Sequence, residues 1–315
     1  MTNNVEKPGI ANHSVGEGFN GNLLIKKVTK GLTSNGKPYL TLILSDKTGT
    51  IEAKIWSVTS EQEKSLVSGE IVFIEGIVSE FRGKAQLNIQ YFNDSVLDVD
   101  LADFLESAPV SKNDMKVEIL EAISNIQNVN IRKITSTIIT KYENQFFEFP
   151  AASSMHHAYV SGLAYHTTSM LKIAKSLCEI YPELNKDLLV AGVILHDVQK
   201  CNEYTGVVST ERTLEGKLKG HLVMISEEIG LTAKELNIDG EEVLLLQHLM
   251  GSHHGKMEWG SFVLPQIMEA EILHFIDNID AKMEMLKKAL GNIEKGNFTG
   301  KLFGMDNRSF YKPTI

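Results

Sequence analysis

The hydrophobic residues of this chain change their spacing once along its length, and that change restricts the fold more than any other feature. Within residues 19–92 apolar and polar residues alternate, as Leu40, Leu42 and Leu44 do in GKPYLTLILSD. From Lys112 onward apolar residues recur every three or four positions instead. Alternation places a set of side chains on one face of a strand, and a period of about 3.6 residues does the same for a helix. The pattern therefore predicts a β domain followed by an all-α domain.

The alternating region contains segments for five strands and one short helix. A DKTG turn at 46–49 joins two strands, a helical stretch lies near residues 59–67, and Arg82-Gly83 forms the last turn. Five short strands with one intervening helix are typical of a closed barrel of the oligonucleotide/oligosaccharide-binding (OB) type. The alternative is another small β-barrel that serves as a docking module.

The strand pattern ends near residue 93, and the next segment contains Pro109 before helical spacing begins. We predict an OB-type barrel over residues 1–95, a linker over 96–112 and a helical domain over 113–315. A chain of 315 residues is long for one compact domain, so its length also favours two.

Charge is distributed unevenly along the chain. The net charge of -9 argues against a protein that coats nucleic acid through bulk electrostatics, yet residues 19–92 hold nine basic side chains against seven acidic ones. Aromatic rings beside cations are typical of single-strand-binding surfaces, where bases stack on the rings. The candidates are Lys37, Tyr39, Lys54, Trp56, Arg82 and Lys84, with Phe81, Tyr91 and Phe92 as further aromatics. The alternative places the rings in the barrel core.

Two features concern the cellular setting. The longest apolar run, from Leu188 to Leu195, is far shorter than the roughly 20 residues that span a bilayer. Cys178 and Cys201 have no CxxC partner, so a disulfide framework is not expected. We expect a cytoplasmic protein with reduced thiols and no membrane association.

Nine of the ten histidines fall between His156 and His274, in the helical region. Metal-binding side chains recur there at intervals of 30, 24, 32 and 23 residues, about one helix and one connection each time. They are His166, His196, Asp197, His221, His253, His254 and Asp277. Such spacing lets the helices of one bundle bring these side chains to one point.

Imidazoles and carboxylates are costly to bury among apolar helices unless something pairs with them, and a divalent metal ion is the strongest such partner. Five histidines and two aspartates exceed the ligands of one tetrahedral zinc ion. The set suits two ions bridged by a carboxylate, with Mn²⁺ preferred and Co²⁺ or Fe²⁺ as alternatives. Such a pair activates hydroxide and clamps phosphoryl oxygens, which predicts phosphoester hydrolysis. The alternative for His196 and Asp197 is a hydrogen-bonded structural pair.

Short motifs surround these positions: HDVQK at 196–200, GLAYHT at 162–167, SHHG at 252–255 and IDNIDAK at 276–282. Together they resemble the HD-domain metal-dependent phosphohydrolase superfamily. With the preceding OB-type barrel, the order resembles the YhaM-type 3′→5′ exoribonucleases over nearly the whole chain. The chain departs from the usual HDIGK pattern at Gln199, where the family generally has glycine.

The resemblance implies an HD-domain helical bundle over residues 113–315 and a role for each candidate. The implied core ligands are His166, His196, Asp197 and Asp277, and a second metal site is completed by His221, His253 and His254. Asp197 and Lys200 would be catalytic, with the Lys200 ammonium neutralising the scissile phosphate or the leaving oxygen. The alternative for Lys200 is a solvated lysine at a helix end. Asp280 is the alternative to Asp277 as the last ligand.

The predicted function is removal of nucleotides from the 3′ end of single-stranded RNA by a metal-activated hydroxide, with the barrel holding the strand. Single-stranded DNA is a further candidate substrate, and the resemblance makes a homo-oligomer plausible. One alternative is an HD-domain phosphohydrolase of nucleotides or cyclic nucleotides with a regulatory barrel. The other is a non-catalytic single-strand nucleic-acid-binding protein.

Several residues keep two interpretations. His156 and His157 line a substrate entrance or the surface, and His248 is favoured as a core residue. His274 either supports a ligand from behind or has no part in the site. Trp259 either stacks on a base or is an ordinary surface residue.

Overall fold

A computed structural model describes residues 9–81, 83–93, 99, 103–151, 159–208 and 210–315. The chain divides into two compact units, Met1–Ser107 and Ala108–Ile315. The first helix of the second unit begins at Lys112, after the N-cap Ser111. The predicted boundaries at residues 95 and 112 stay predictions.

The first unit is a closed five-stranded barrel with the strand order β1-β2-β3-β5-β4. Its elements are β1 (Gly18–Leu32), β2 (Pro38–Asp46), β3 (Gly49–Trp56), α1 (Ser60–Ser65), β4 (Ile71–Phe81) and β5 (Lys84–Asn93). Neighbouring strands are antiparallel except for β3 and β5, which are parallel. The OB-type barrel with one helix between β3 and β4 is confirmed.

The alternation of the sequence explains how this barrel is filled. Leu40, Leu42 and Leu44 of β2 are buried and pair in register with Ile55, Ala53 and Ile51 of β3. Because successive side chains point to opposite faces, this register turns Tyr39, Lys54 and Trp56 outward. Three of the candidate binding residues, Tyr39, Lys54 and Trp56, therefore lie on the opposite face of β2 and β3 from the barrel core.

The second unit is a helical bundle. Its helices are α2 (Lys112–Ser124), α3 (Val129–Lys141), α4 (Glu143–Phe146), α5 (Gly162–Ile180), α6 (Lys186–Leu195), α7 (Lys200–Glu203), α8 (Leu214–Leu218), α9 (His221–Glu235), α10 (Glu241–Ser252) and α11 (Met268–Gly291). No helix in the described ranges is both long and apolar enough to cross a bilayer.

Helix α6 is the centre of this bundle. It packs against α2, α3, α5, α10 and α11, and every residue from Leu188 to Leu195 is buried. Gly192 permits the close approach, because a Cβ at this position would lie 3.1 Å from a methyl carbon of Leu249 and 3.3 Å from one of Leu273. An all-round apolar helix is expected where helices surround it on every side. His196 and Asp197 therefore leave α6 in the interior of the unit.

Asp187 ties the start of α6 to the start of α3. Its Oδ2 accepts hydrogen bonds from the backbone N–H groups of Gln127 and Asn128, at 2.9 and 2.7 Å. Asn128 in turn caps α3 by accepting from Asn130 and Ile131, both at 3.0 Å. These bonds satisfy backbone donors that helix geometry leaves without partners.

Replacing Asp187 with alanine should lower the free energy of unfolding by about 1–2 kcal/mol, because two backbone donors lose a charged acceptor. Urea denaturation followed by the helical circular dichroism signal measures the change. Asp239→Ala, at an exposed aspartate of the same unit, is the control and should stay within about 0.5 kcal/mol of the parent. Equal losses in the two variants would contradict the assigned role of Asp187.

Candidate metal centre

The structure brings all seven predicted ligands to the end of α6. His196 and Asp197 directly follow this helix. His166 lies on α5 and Asp277 on α11, while His221 opens α9. The remaining two, His253 and His254, directly follow α10.

The side chains form two adjoining groups, each with ligand atoms within 4.8 Å of one another. The first group is His166, His196 and Asp197, and the second is His221, His253 and His254. Asp277 joins the first group, because its Oδ1 lies 3.3 Å from His166 Nε2.

Asp197 lies between the two groups. Its Oδ2 is 3.2 Å from His196 Nε2, and its Oδ1 is 3.2 Å from His221 Nε2. A carboxylate that faces both groups with different oxygens has the position of a bridging ligand. This agrees with the expectation of two ions bridged by a carboxylate.

The five histidines share one hydrogen-bonding pattern, in which Nδ1 contacts a protein oxygen. Backbone carbonyls contact three of them: Val193 with His196 at 2.8 Å, Met250 with His253 at 2.9 Å, and Trp259 with His254 at 2.7 Å. Carboxylates contact the other two: Asp280 with His166 at 2.7 Å, and Glu203 with His221 at 2.6 Å.

These contacts determine the tautomer. A carbonyl oxygen can only accept a hydrogen bond, so the Nδ1 atoms of His196, His253 and His254 must donate. In the neutral imidazole the other nitrogen, Nε2, then carries a lone pair directed into the centre. Nδ1–H donated to an oxygen is the usual arrangement behind a metal-bound histidine.

Several inward-facing atoms are buried without a hydrogen-bond partner in the described part of the chain. They are Nε2 of His196, His221 and His253 and Oδ1 of Asp197. Leaving a buried polar atom unsatisfied costs about 1–3 kcal/mol, so the folded chain tolerates such a group only for a reason. Imidazole nitrogens beside carboxylate oxygens match the donors that Mn²⁺, Fe²⁺ and Co²⁺ accept. The residues present therefore fit a divalent metal centre.

Charge at the centre is balanced by Lys200. Its Nζ lies 2.6 Å from Asp197 Oδ2, and only 12% of its side chain is exposed. Burial acts to raise the pKa of Asp197, but Lys200 and His196 outweigh it and hold this pKa well below its usual range. Asp197 is thus ionised, as a ligand must be, and the solvated alternative for Lys200 is wrong because the ammonium is directed at this carboxylate.

His166 has carboxylates on both ring nitrogens. Burial acts to lower its pKa, but the hydrogen bonds with Asp277 and Asp280 outweigh burial and raise the pKa to about 9. The two carboxylates occupy different positions, since Asp280 contacts Nδ1 and Asp277 lies at Nε2. Asp277 therefore has the position of a ligand, and Asp280 orients the ring from behind.

Two members of the second group, His253 and His254, have lowered pKa values instead. Burial and the neighbouring His254 lower the pKa of His253 well below its ordinary value, and burial and His221 lower that of His254. A neutral imidazole is the form that binds a metal ion.

On the barrel, Lys54 lies over three aromatic rings. Its Nζ is 5.7 Å from the ring centroid of Tyr39, 5.6 Å from that of Trp56 and 5.3 Å from that of Phe81. The Tyr39 and Trp56 rings are 5.1 Å apart. Trp56 and Phe81 are 54% and 51% exposed, so the core interpretation is wrong for these two rings. We refer to Tyr39, Lys54, Trp56 and Phe81 as the Lys54 cluster.

The structure describes two of the other basic candidates on the barrel, Lys37 and Lys84. Lys37 is exposed directly before β2, and Lys84 is exposed at the start of β5, in register with Phe81. Arg82 lies outside the described residues. Strands 2 and 3, with the loops that follow strands 1 and 4, are the surface that OB folds use for oligonucleotides.

Comparison with known proteins assigns both units. Residues 163–282 match the family described as HD domain, and residues 24–94 match the family described as OB-fold nucleic acid binding domain. The chain is 52% identical over 311 residues to the 3′-5′ exoribonuclease YhaM of Oceanobacillus iheyensis, covering 98% of each chain. It belongs to the YhaM exoribonuclease family.

Two further members of the YhaM family agree. The 3′-5′ exoribonuclease YhaM of Shouchella clausii is 52% identical over 309 residues, with coverage of 98% of this chain and 97% of that protein. The one from Geobacillus sp. is 52% identical over 310 residues, with 97% and 95% coverage. The likeness therefore extends through both units.

Glu203 is a residue of the centre that the sequence did not predict. It is 1% exposed at the end of α7, contacts His221 and forms an ion pair with Arg212 at 3.2 Å. Burial acts to raise its pKa, but the bond with His221 outweighs burial and lowers it. The only signal in the sequence is an acid six residues beyond Asp197, in a segment too short for a helical period to place it.

Three other residues that the sequence analysis singled out, Gln199, His248 and His274, form hydrogen-bonding contacts within the helical unit. The Gln199 side chain accepts from Asn202 at 2.8 Å, and its φ of -75° is one that any residue adopts, so the turn has no need of the usual glycine. His248 accepts from the Gln266 N–H at 2.9 Å. His274 Nδ1 contacts the His253 carbonyl at 3.1 Å and supports that ligand from behind. His156 and His157 lie outside the described residues.

Replacing Glu203 with glutamine should weaken metal binding at the second group by about 10-fold, because the neutral amide polarises the His221 ring less than a carboxylate does. Calorimetric Mn²⁺ titration measures both sites. The first group should keep its affinity, since Glu203 contacts none of its members in the described residues.

Glu215→Gln is the matched control for this prediction. Glu215 is 57% exposed on α8 and pairs with Lys219, so its replacement should leave both affinities unchanged. A parallel loss at both sites in Glu203→Gln, or no loss at either, would contradict the prediction.

Proposed function

We propose that this chain is a metal-dependent 3′→5′ exoribonuclease that holds single-stranded RNA on its barrel and hydrolyses phosphodiester bonds at the centre beyond α6. The observation that carries the proposal is the set of inward-facing imidazole nitrogens and carboxylate oxygens, buried together with their outer atoms already hydrogen-bonded. The names of the YhaM-family relatives support the reaction and the direction of cleavage.

Two ions would be held by the two groups, with Asp197 between them. The first would be bound by His166, His196, Asp197 and Asp277, and the second by His221, His253, His254 and Asp197. When bound, the ions supply an activated water molecule and neutralise charge on the phosphate oxygens. Mn²⁺ is the proposed ion, because a set of mixed imidazole and carboxylate donors is typical of open sites for such ions. A structural zinc ion is instead enclosed by four tetrahedral ligands.

Lys200 has the second catalytic role in the proposal. Burial acts to lower its pKa, but Asp197 outweighs burial and raises it, so the side chain stays a cation. An ammonium group held 2.6 Å from Asp197 Oδ2 would lie beside a scissile phosphate bound at the two groups. There it would neutralise charge that develops on the leaving oxygen.

The Lys54 cluster supplies the proposed grip on the strand. Bases stack on exposed aromatic rings whatever their sequence, and a cation between rings pairs with the backbone phosphates. This surface explains how a chain of net charge -9 can bind RNA, since the attraction is local. Single-stranded DNA has the same stacking faces and phosphates and is the second proposed substrate.

Two alternative functions predict different results. A purely nucleic-acid-binding role predicts lost ligands, whereas all seven are present. A hydrolase of free nucleotides leaves the Lys54 cluster without a role. A homo-oligomer stays a prediction that size-exclusion chromatography with light scattering can test.

The activity itself is tested with a 5′-labelled single-stranded RNA. With Mn²⁺ the protein should produce a ladder of products shortened from the 3′ end, and a chelator should abolish it. Asp197→Asn should lower the rate by more than about 100-fold, since losing a shared ligand exceeds the effect of losing a residue behind one. Asp239→Asn is the exposed control. Cleavage of free nucleotides alone would favour the second alternative.

Trp56→Ala should raise the KM for long RNA by about tenfold and change that for a dinucleotide much less, because a dinucleotide has almost no bases beyond the scissile bond that could stack on the Lys54 cluster. The reaction rate as a function of RNA length measures this difference. Tyr91→Ala is the control, since Tyr91 is 53% exposed on β5 but is not among the rings described around Lys54. An equal change on both substrates would oppose a binding role for the barrel.

A further inference from the structure

A rigid turn lies between α10 and α11, directly beyond the second group of ligands. A single turn of 3-10 helix, Met257–Trp259, is closed by hydrogen bonds from Trp259 N–H to the Lys256 carbonyl at 3.1 Å and from Gly260 N–H to the Met257 carbonyl at 3.0 Å. The N–H of Phe262 donates to the Gly251 carbonyl at 3.1 Å and fastens the turn to the end of α10. The backbone of the turn is therefore held in one position.

Trp259 is joined directly to the metal centre through this turn. Its carbonyl accepts the hydrogen bond from His254 Nδ1 at 2.7 Å. The backbone of Trp259 is thus hydrogen-bonded directly to a candidate ligand of the second group. On its inner side the ring lies 5.9 Å from the ring of His274, which contacts the carbonyl of the ligand His253.

The indole of Trp259 is exposed in spite of its size. It is 47% accessible, and the Nζ of Lys256 lies 4.4 Å from its ring centroid. An exposed ring with a cation above it is the combination with which proteins bind a base and its phosphate. The Lys54 cluster on the barrel has the same two components.

We propose that Trp259 stacks on a nucleobase that flanks the scissile phosphate, and that Lys256 pairs with the adjoining phosphate. This subsite rests on the proposed nuclease function and adds to it the surface that sets which phosphate enters the centre. A base stacked on Trp259 would bring its phosphodiester close to the second group of candidate ligands, because the Trp259 backbone is hydrogen-bonded to His254 and its ring packs beside His274.

The test measures the coupling between Trp259 and a base. Wild-type protein and Trp259→Ala are each given RNA with an intact 3′ end and RNA that lacks the base of either the last or the penultimate nucleotide. Removing the stacked base should raise the wild-type KM by about tenfold and leave the KM of Trp259→Ala unchanged. Trp259→Phe, which keeps an aromatic face, should retain most of the coupling.

The control variant is Phe303→Ala, which removes an aromatic ring that is 83% exposed elsewhere on the same unit. It should show the wild-type response to each missing base. Mn²⁺ content is measured for every variant, because a shifted turn could disturb His254. The inference is overturned if Trp259→Ala loses the same factor on all three substrates, or if no missing base changes the wild-type KM.

Failure of the subsite can be told apart from failure of the proposed function. If wild-type protein shortens none of the RNAs, the nuclease proposal is wrong. If it shortens the intact RNA and the coupling with Trp259 is absent, only the subsite is wrong.

Discussion

The candidate centre depends on the contact of each inward-facing imidazole, through its Nδ1, with an oxygen of the protein. Imidazole rings buried in an apolar bundle are costly unless both nitrogens are satisfied. Backbone carbonyls at the ends of α6 and α10 meet this need for His196 and His253, and carboxylates do so for His166 and His221. The same contacts turn Nε2 toward the interior, where a bound cation would offset the remaining cost.

Most of the candidate ligands lie at the ends of helices. Helix α6 is apolar from Leu188 to Leu195, where five helices surround it, and the first residues after it are the candidate ligands His196 and Asp197. Helix α9 begins with His221, and His253 follows α10. Helix ends have irregular backbone geometry and unpaired carbonyls, so side chains there can turn inward without interrupting the helical hydrogen bonds.

The proposed recognition surfaces of the two units share the same chemistry. The barrel offers three rings around Lys54, and the helical unit offers one ring beneath Lys256. A larger stacking surface suits affinity for a strand of any sequence, whereas a single ring fixed to a metal ligand suits the choice of one phosphate.

The order of a five-stranded barrel and a helical bundle, the buried face of β2 and the seven candidate ligands could be predicted from the sequence, because hydrophobic period and residue type are local properties. The choice between Asp277 and Asp280 as the candidate ligand needed tertiary structure. Both lie on α11, one turn apart, and only the position of His166 decides which carboxylate faces the centre. The position of Glu203 behind the centre likewise needed tertiary structure, since it depends on a contact with His221, 18 residues away along the chain. The spacing of Lys54 from its rings likewise depends on the pairing of β2 with β3 and on the end of β4. Sequence determines which groups a chain can offer, and the packing of distant elements decides which of them meet.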